Sequence, residues 1–237
     1  MRQDRPVSAP RTARAIARAE LTRAILDLAG HQLAEVGPAA LSVRRIAREL
    51  DMASSAVYRY FPSRDALLTA LIVEGYDDLG GRAEAADSAV DDRADHAARW
   101  RAVAHTVHDW AREQPHRYAL LYGSPVPGYA APQDTVTPAT RITGLLLAIV
   151  RDAEQAGVHP AGVLPVPPVE AAAVQPVATM LSPAVSDEMT VRALTAWATL
   201  FGHISLELFG HMHRGVLDYD VHFAQVVDQV AADLGLA

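Results

Sequence analysis

From about Arg14 to Val36, the apolar residues Leu21, Ile25, Leu28, Ala29, Leu33 and Val36 recur at three- and four-residue steps, which predicts a helix with one hydrophobic face. Gly37-Pro38 stops it. Ser42 is placed to cap a second, very short helix whose inward residues are Val43, Ile46, Ala47 and Leu50. Asp51-Met52-Ala53 reads as a turn, and a third helix starts at Ser54 or Ser55 and runs to about Tyr60. After Pro62, Ser63 can cap a longer helix carrying Leu67, Leu68, Leu71 and Ile72, with Asp65 in the first turn to suit the helix dipole. Gly80-Gly81 and the acidic run from Asp87 to Asp95 read as a joint. Beyond it, helices are expected near 93–113, 115–122, 138–156, 168–181, 187–213 and 219–234, interrupted by proline-rich stretches at 124–138 and 159–168. There is no alternating strand pattern and no internal repeat. The fold class is therefore all-α.

Charge adds an asymmetry to this pattern. Residues 1–64 carry 11 arginines and six acidic residues, a net of +5, while the remainder carries -12, for -7 overall. A basic head on an acidic body suggests that only the head meets a polyanion. All 21 basic residues are arginine, and the accompanying alanine and proline content points to GC-rich coding, which weakens any argument from arginine abundance alone. The absence of cysteine excludes disulfides, thiol catalysis and thiolate metal sites. No apolar run is long enough to span a bilayer. The basic N-terminus has no apolar block behind it, so no signal peptide and a cytoplasmic location are expected.

The two short helices are what a helix-turn-helix requires: the first braces across the DNA backbone while the second enters the major groove. Ser42, Ser54 and Ser55 fall at helix starts, where hydroxyls and backbone N–H groups suit phosphate oxygens. Tyr58, Tyr60 and Arg64 cluster at the far end of the unit as phosphate contacts should. Arg44 and Arg59 are candidates to read a base, since arginine bonds guanine in bidentate fashion, and Ala56 to meet a thymine methyl. Short arginine-rich helices also occur in other all-helical proteins, and Tyr58 is compatible with a partly core position.

The segment from roughly Ala19 to Ile72 resembles the N-terminal domain of the tetracycline-repressor (TetR) family of bacterial regulators. Ala29, Gly37, the pair Leu41-Ser42 and Ile46-Ala47 match the family pattern. Val57-Tyr58-Arg59-Tyr60-Phe61 is close to its Leu-Tyr-x-His/Tyr-Phe, and Ser63-Arg64-Asp65 with Leu67-Leu68 is similar to its Ser-Lys-Glu-x-Leu-Leu. The resemblance implies that Ser42, Tyr60 and Arg64 hold phosphates and that Arg44, Ser54, Ser55, Ala56 and Arg59 face the groove. Asp51 departs from the usual turn glycine, at some cost to a left-handed backbone. Arg64 replaces the usual lysine. The implied organisation is a flexible arm over 1–13, a three-helix DNA-binding domain over 14–75 and a helical ligand-binding and dimerisation domain over 76–237.

In the C-terminal half, Trp197 to Gly210 resembles the Trp…His-Gly…Leu-Glu signature of one C-terminal subclass, with Gly202-His203 inverting its His-Gly order. Trp197, Leu200, Phe201, Ile204 and Leu208 form one apolar stripe; Phe223, Val226, Val227, Val230 and Leu234 form another. Intramolecular packing alone explains both. The resemblance implies a homodimer through these last two long helices, bound to double-stranded operator DNA, and a small-molecule effector; an apolar pocket would suit an apolar or aromatic one. Trp110, Tyr118, Tyr122, Met180, Trp197, Phe201 and His203 are candidates to line its pocket, each against ordinary core packing. His203 and Glu207, four apart, are expected as a buried structural pair. His211 and His213 do not share a helix face, and His105 and His108 read as a mix of surface and interior, so neither a metal nor a cofactor is expected. No phosphate loop, nucleophile elbow or zinc-protease motif occurs, and the chain is not expected to be an enzyme. The competing readings are an all-helical enzyme or ligand carrier that reuses the helix-turn-helix as scaffold, and a structural adaptor that binds only protein.

Overall fold

The computed structural model describes residues 13–160, 165–181 and 183–236. The expected arm lies outside them except for Ala13, which already belongs to α1 (Ala13–Val36). α2 (Val43–Glu49), α3 (Ser54–Val57) and α4 (Arg64–Ser88) follow, then α5 (His96–Glu113), α6 (Pro115–Tyr122), α7 (Val136–Ala139), α8 (Arg141–Gln155), α9 (Pro168–Ala178), α10 (Asp187–Leu208) and α11 (Tyr219–Asp233). Among the described residues there is no strand, and no helix is long and apolar enough to cross a membrane.

Two compact units emerge. One holds the described residues up to Leu71 together with Val126–Tyr129; the other holds Ile72–Pro125 and the described residues from Ala130 on. α4 runs without a break across that division. In the first unit, Ile25, Ala29 and Leu33 of α1 meet Val43, Ile46 and Ala47 of α2, Val57 of α3, Phe61, and Leu67, Leu68 and Leu71 of α4, all buried. Val36, the last member of the predicted α1 stripe, is 47% exposed because the chain turns away at Gly37, where φ is +72°. The Tyr129 hydroxyl reaches Thr69 Oγ1 at 2.9 Å and ties the 126–129 loop to the same unit.

The second unit surrounds α5. Trp100, Val103, Val107 and Trp110 of α5 pack with Leu146, Ile149 and Val150 of α8, Met189, Leu200 and Ile204 of α10, and Phe223 and Val227 of α11. Helix starts follow their capping residues: Asp95 accepts from the Ala98 N–H, Ser186 from Met189 and Asp218 from Val221.

Several boundaries differ from the sequence reading. Gly80-Gly81 is no joint, because α4 continues to Ser88. A Cβ at Gly80 would lie 2.7 Å from Arg141 Nε, so the glycine admits the guanidinium that binds Glu84 and Asp77. α10 stops at Leu208, five residues early, since Gly210 at φ +78° closes it with the His211 N–H on the Leu206 carbonyl. The helix expected over 138–156 is split into α7 and α8, and α9 ends at Ala178 rather than 181.

Candidate nucleic-acid interface

α2 is shaped by its ends. Ser42 Oγ accepts from the Arg45 N–H at 3.3 Å and starts it. At its other end Asp51 adopts φ +53°, with the Asp51 N–H on the Arg48 carbonyl at 3.2 Å and the Met52 N–H on Ala47 at 2.8 Å. That pair of bonds is the left-handed helix stop that glycine usually supplies. α3 has no side-chain cap: its N-terminal flank is Ala53. Regular helix ends at Val57 rather than Tyr60. Tyr58 to Tyr60 form a tighter turn, with the Tyr60 N–H on Val57 at 2.9 Å, because Phe61 turns into the core and Pro62 disfavours helix before it.

This geometry separates the candidate residues. Val43, Ile46, Ala47 and Val57 point inward; Arg44, Ser55, Tyr58 and Arg59 are exposed, and Ser54, Ala56 and Tyr60 are partly so. Arg44 and Arg59 have no ion pair among the described residues. Arg45 is held by Glu35 and Glu49, which raise its pKa through hydrogen bonds. Arg64, assigned to a phosphate, donates one Nη2 to the carbonyls of Pro38 at 2.6 Å and Ala39 at 3.1 Å and lies 3.6 Å from Asp65. It pins the α1–α2 connection to α4 and retains other N–H groups. Two residues outside the sequence reading belong here. Gln32, 1% exposed, accepts the Ser42 N–H at 3.1 Å and so joins α1 to the start of α2. Its signal was a polar residue inside the apolar repeat. Arg18 lies over the Tyr60 ring, 5.1 Å from its centroid.

In the second unit, four of the seven pocket candidates come together. Tyr122 and Trp197 lie 4.6 and 5.3 Å from the Phe201 ring, and Tyr118 lies 5.2 Å from Tyr122. Burial pushes the Tyr118 phenol up to about 12, although its bond with Ser205 opposes this; burial pushes Tyr122 up as well. Trp110 is apart, donating to Asp78 at 2.8 Å, and Met180 is 40% exposed beyond α9. His203 bonds the Thr199 carbonyl and faces the His222 ring, so the expected His203–Glu207 pair does not form. Glu207 instead takes buried His108 of α5 at 2.8 Å, whose ring stacks on Phe223. A cleft of about 390 Å³ opens on α10 and α11, lined by Val191, Arg192, Thr195, Val230 and Leu234 among others, and none of the seven candidates lines it. Among the described residues no His, Asp or Glu group is arranged to hold a metal.

The family model of bacterial regulatory proteins, tetR family, matches residues 25–71, and that of the tetracyclin repressor-like C-terminal domain matches 100–230, more than half of the chain. The HTH-type transcriptional regulator Rv1816 of Mycobacterium tuberculosis is 41% identical over 213 residues, covering 85% of this chain and 86% of the relative. This chain belongs to the tetR family.

The tetR-family chain has the same values against the HTH-type transcriptional regulator Mb1846 of Mycobacterium bovis. The crystal structure of the regulatory protein SCO4313 superposes with a TM-score of 0.76 at 28% identity, covering 94% of this chain and 98% of that one. PfmR of Thermus thermophilus, a TetR-family transcriptional regulator, shares the fold with a TM-score of 0.57 at 16% identity over 87% and 96% of the two chains. As a member of the tetR family this protein is a DNA-binding transcriptional regulator of the helix-turn-helix type, and the family match covers α2 and α3.

Proposed function

We propose that this regulator is a ligand-responsive repressor that binds a near-palindromic operator as a homodimer and is released by a small molecule in the C-terminal domain. The observation that carries the DNA part is the sorting on α2 and α3: apolar residues are buried while Arg44, Ser55, Tyr58 and Arg59 are left on the surface. Arg44, Ser54, Ser55, Ala56 and Arg59 face base edges in this reading; Ser42, Tyr58, Tyr60 and Arg64 take phosphates. Two heads one DNA turn apart, roughly 34–36 Å, read the two half-sites.

Support for the dimer comes from α10. Leu200, Phe201 and Ile204 of the predicted stripe, Phe223, Val227 and Val230 of α11, and Leu234 just after it are buried inside the protomer. The face left open on α10 carries Thr195, Ala198, Gly202 and Leu206, and a Cβ at Gly202 would meet nothing within 4 Å. A partner helix packs on that face rather than on the predicted stripes. The effector is apolar or aromatic and binds against the Tyr118, Tyr122, Trp197 and Phe201 rings, shifting the population of DNA-competent protein. The protein acts in the cytoplasm, where its operator is.

Gel shift against the chain's own upstream DNA tests the reading. Wild-type protein binds; Arg44→Ala and Arg59→Ala each cost about 1–3 kcal/mol and relax base preference at one position. Normal binding and preference by both variants would overturn these site assignments. Native mass spectrometry of purified protein identifies a carried effector, and addition of that molecule releases the operator.

A further inference from the structure

The first two turns of α1, Ala13 to Glu20, are exposed at every position. None of these residues belongs to the buried core, so the segment draws little stability from packing and depends mainly on propensity, here that of Ala13, Ala15, Ala17 and Ala19. Arg14 and Arg18, four apart, share one face of it. Neither has a carboxylate partner among the described residues, in contrast to Arg45, which two glutamates neutralise. Arg18 instead lies over the ring of Tyr60, at 5.1 Å. Tyr60 follows α3 directly, is partly exposed, and has no hydrogen-bond partner for its hydroxyl among the described residues.

A guanidinium over a partly exposed ring engages the ring's face, which leaves its own N–H groups and the phenol O–H free to donate elsewhere. A stacked arginine and an adjacent phenol make a two-pronged donor, which suits neighbouring phosphate oxygens.

We propose that Arg18 is a further DNA-contacting residue: α1 reaches the duplex backbone through an Arg18–Tyr60 stack that grips phosphates without reading sequence. The inference rests on the operator-binding reading above and extends its footprint from α2 and α3 to α1.

The test is fluorescence anisotropy of the full chain on its upstream operator duplex, titrated across a series of salt concentrations. If Arg18 holds one phosphate, Arg18→Ala reduces the magnitude of the slope of log K against log salt by about 0.9. It also weakens binding roughly tenfold at low salt, since a hydrogen bond to a charged group is lost, while leaving the ratio of operator to random-sequence affinity unchanged. Arg18→Lys restores the slope. Tyr60→Phe combined with Arg18→Ala costs less than the sum of the two. Arg18 is exposed and outside the core, so circular dichroism of the variant matches wild type. A wild-type slope in Arg18→Ala, whether affinity falls or not, overturns the contact. Failure of wild-type protein to bind any duplex overturns the operator reading instead.

Discussion

Asp51 holds a left-handed backbone where a side chain is disfavoured, with its two hydrogen bonds to the end of α2 intact. Glycine takes that conformation without the Cβ penalty, partly offset by its greater freedom when unfolded. Asp51→Gly is expected to stabilise the protein by about 0.5–1 kcal/mol in urea unfolding. Asp87 is a residue of the opposite kind, needed where it stands. Burial pushes its carboxyl up, but hydrogen bonds from Arg99 and Arg93 outweigh this and hold it below the usual carboxylate range. A carboxyl depressed in the fold contributes stability above its unfolded pKa, near 4, and loses it as pH falls through the lower folded value. Asp87→Asn leaves Arg99, 4% exposed in its side chain, with Asp152 alone. The expected cost is about 3 kcal/mol at neutral pH, together with a flatter loss of stability below pH 4, measured by denaturant titration at several pH values.

At the scale of elements, the two short helices are local constructions, and their capping and stop residues stand within a few positions of the bonds they make. Ser42, Ser63 and the proline after Phe61 were readable for that reason. Breaks that depend on a distant partner were not. Gly80 reads as a hinge until Arg141, 61 residues on, is seen to fill the space beside it. Gly123, which ends α6, is constrained by backbone instead: a Cβ would stand 2.3 Å from the Ala119 carbonyl oxygen. Gly123→Ala is expected to destabilise by about 1–3 kcal/mol, because a carbonyl cannot swing aside as an arginine can, and thermal unfolding measures it.

For the whole molecule, the proposed pairing of two copies through the exposed side of α10 has a direct test. Ala198→Arg on the exposed side of α10 is expected to leave the protomer folded, convert it to monomer in sedimentation, and weaken operator binding by more than tenfold through loss of the second half-site. An unchanged dimer would move the interface elsewhere. The amino-acid sequence by itself determined the all-helical class, the short helix pair and the side chains on its surface, since helical period, caps and turn residues act over a few positions. Tertiary structure alone decided that Glu207 pairs with His108 rather than His203, that the two apolar stripes are interior, and that Arg18 meets Tyr60. A helix apolar on several sides does not record which side its own chain will cover, and contacts between residues dozens of positions apart exist only after the chain has packed.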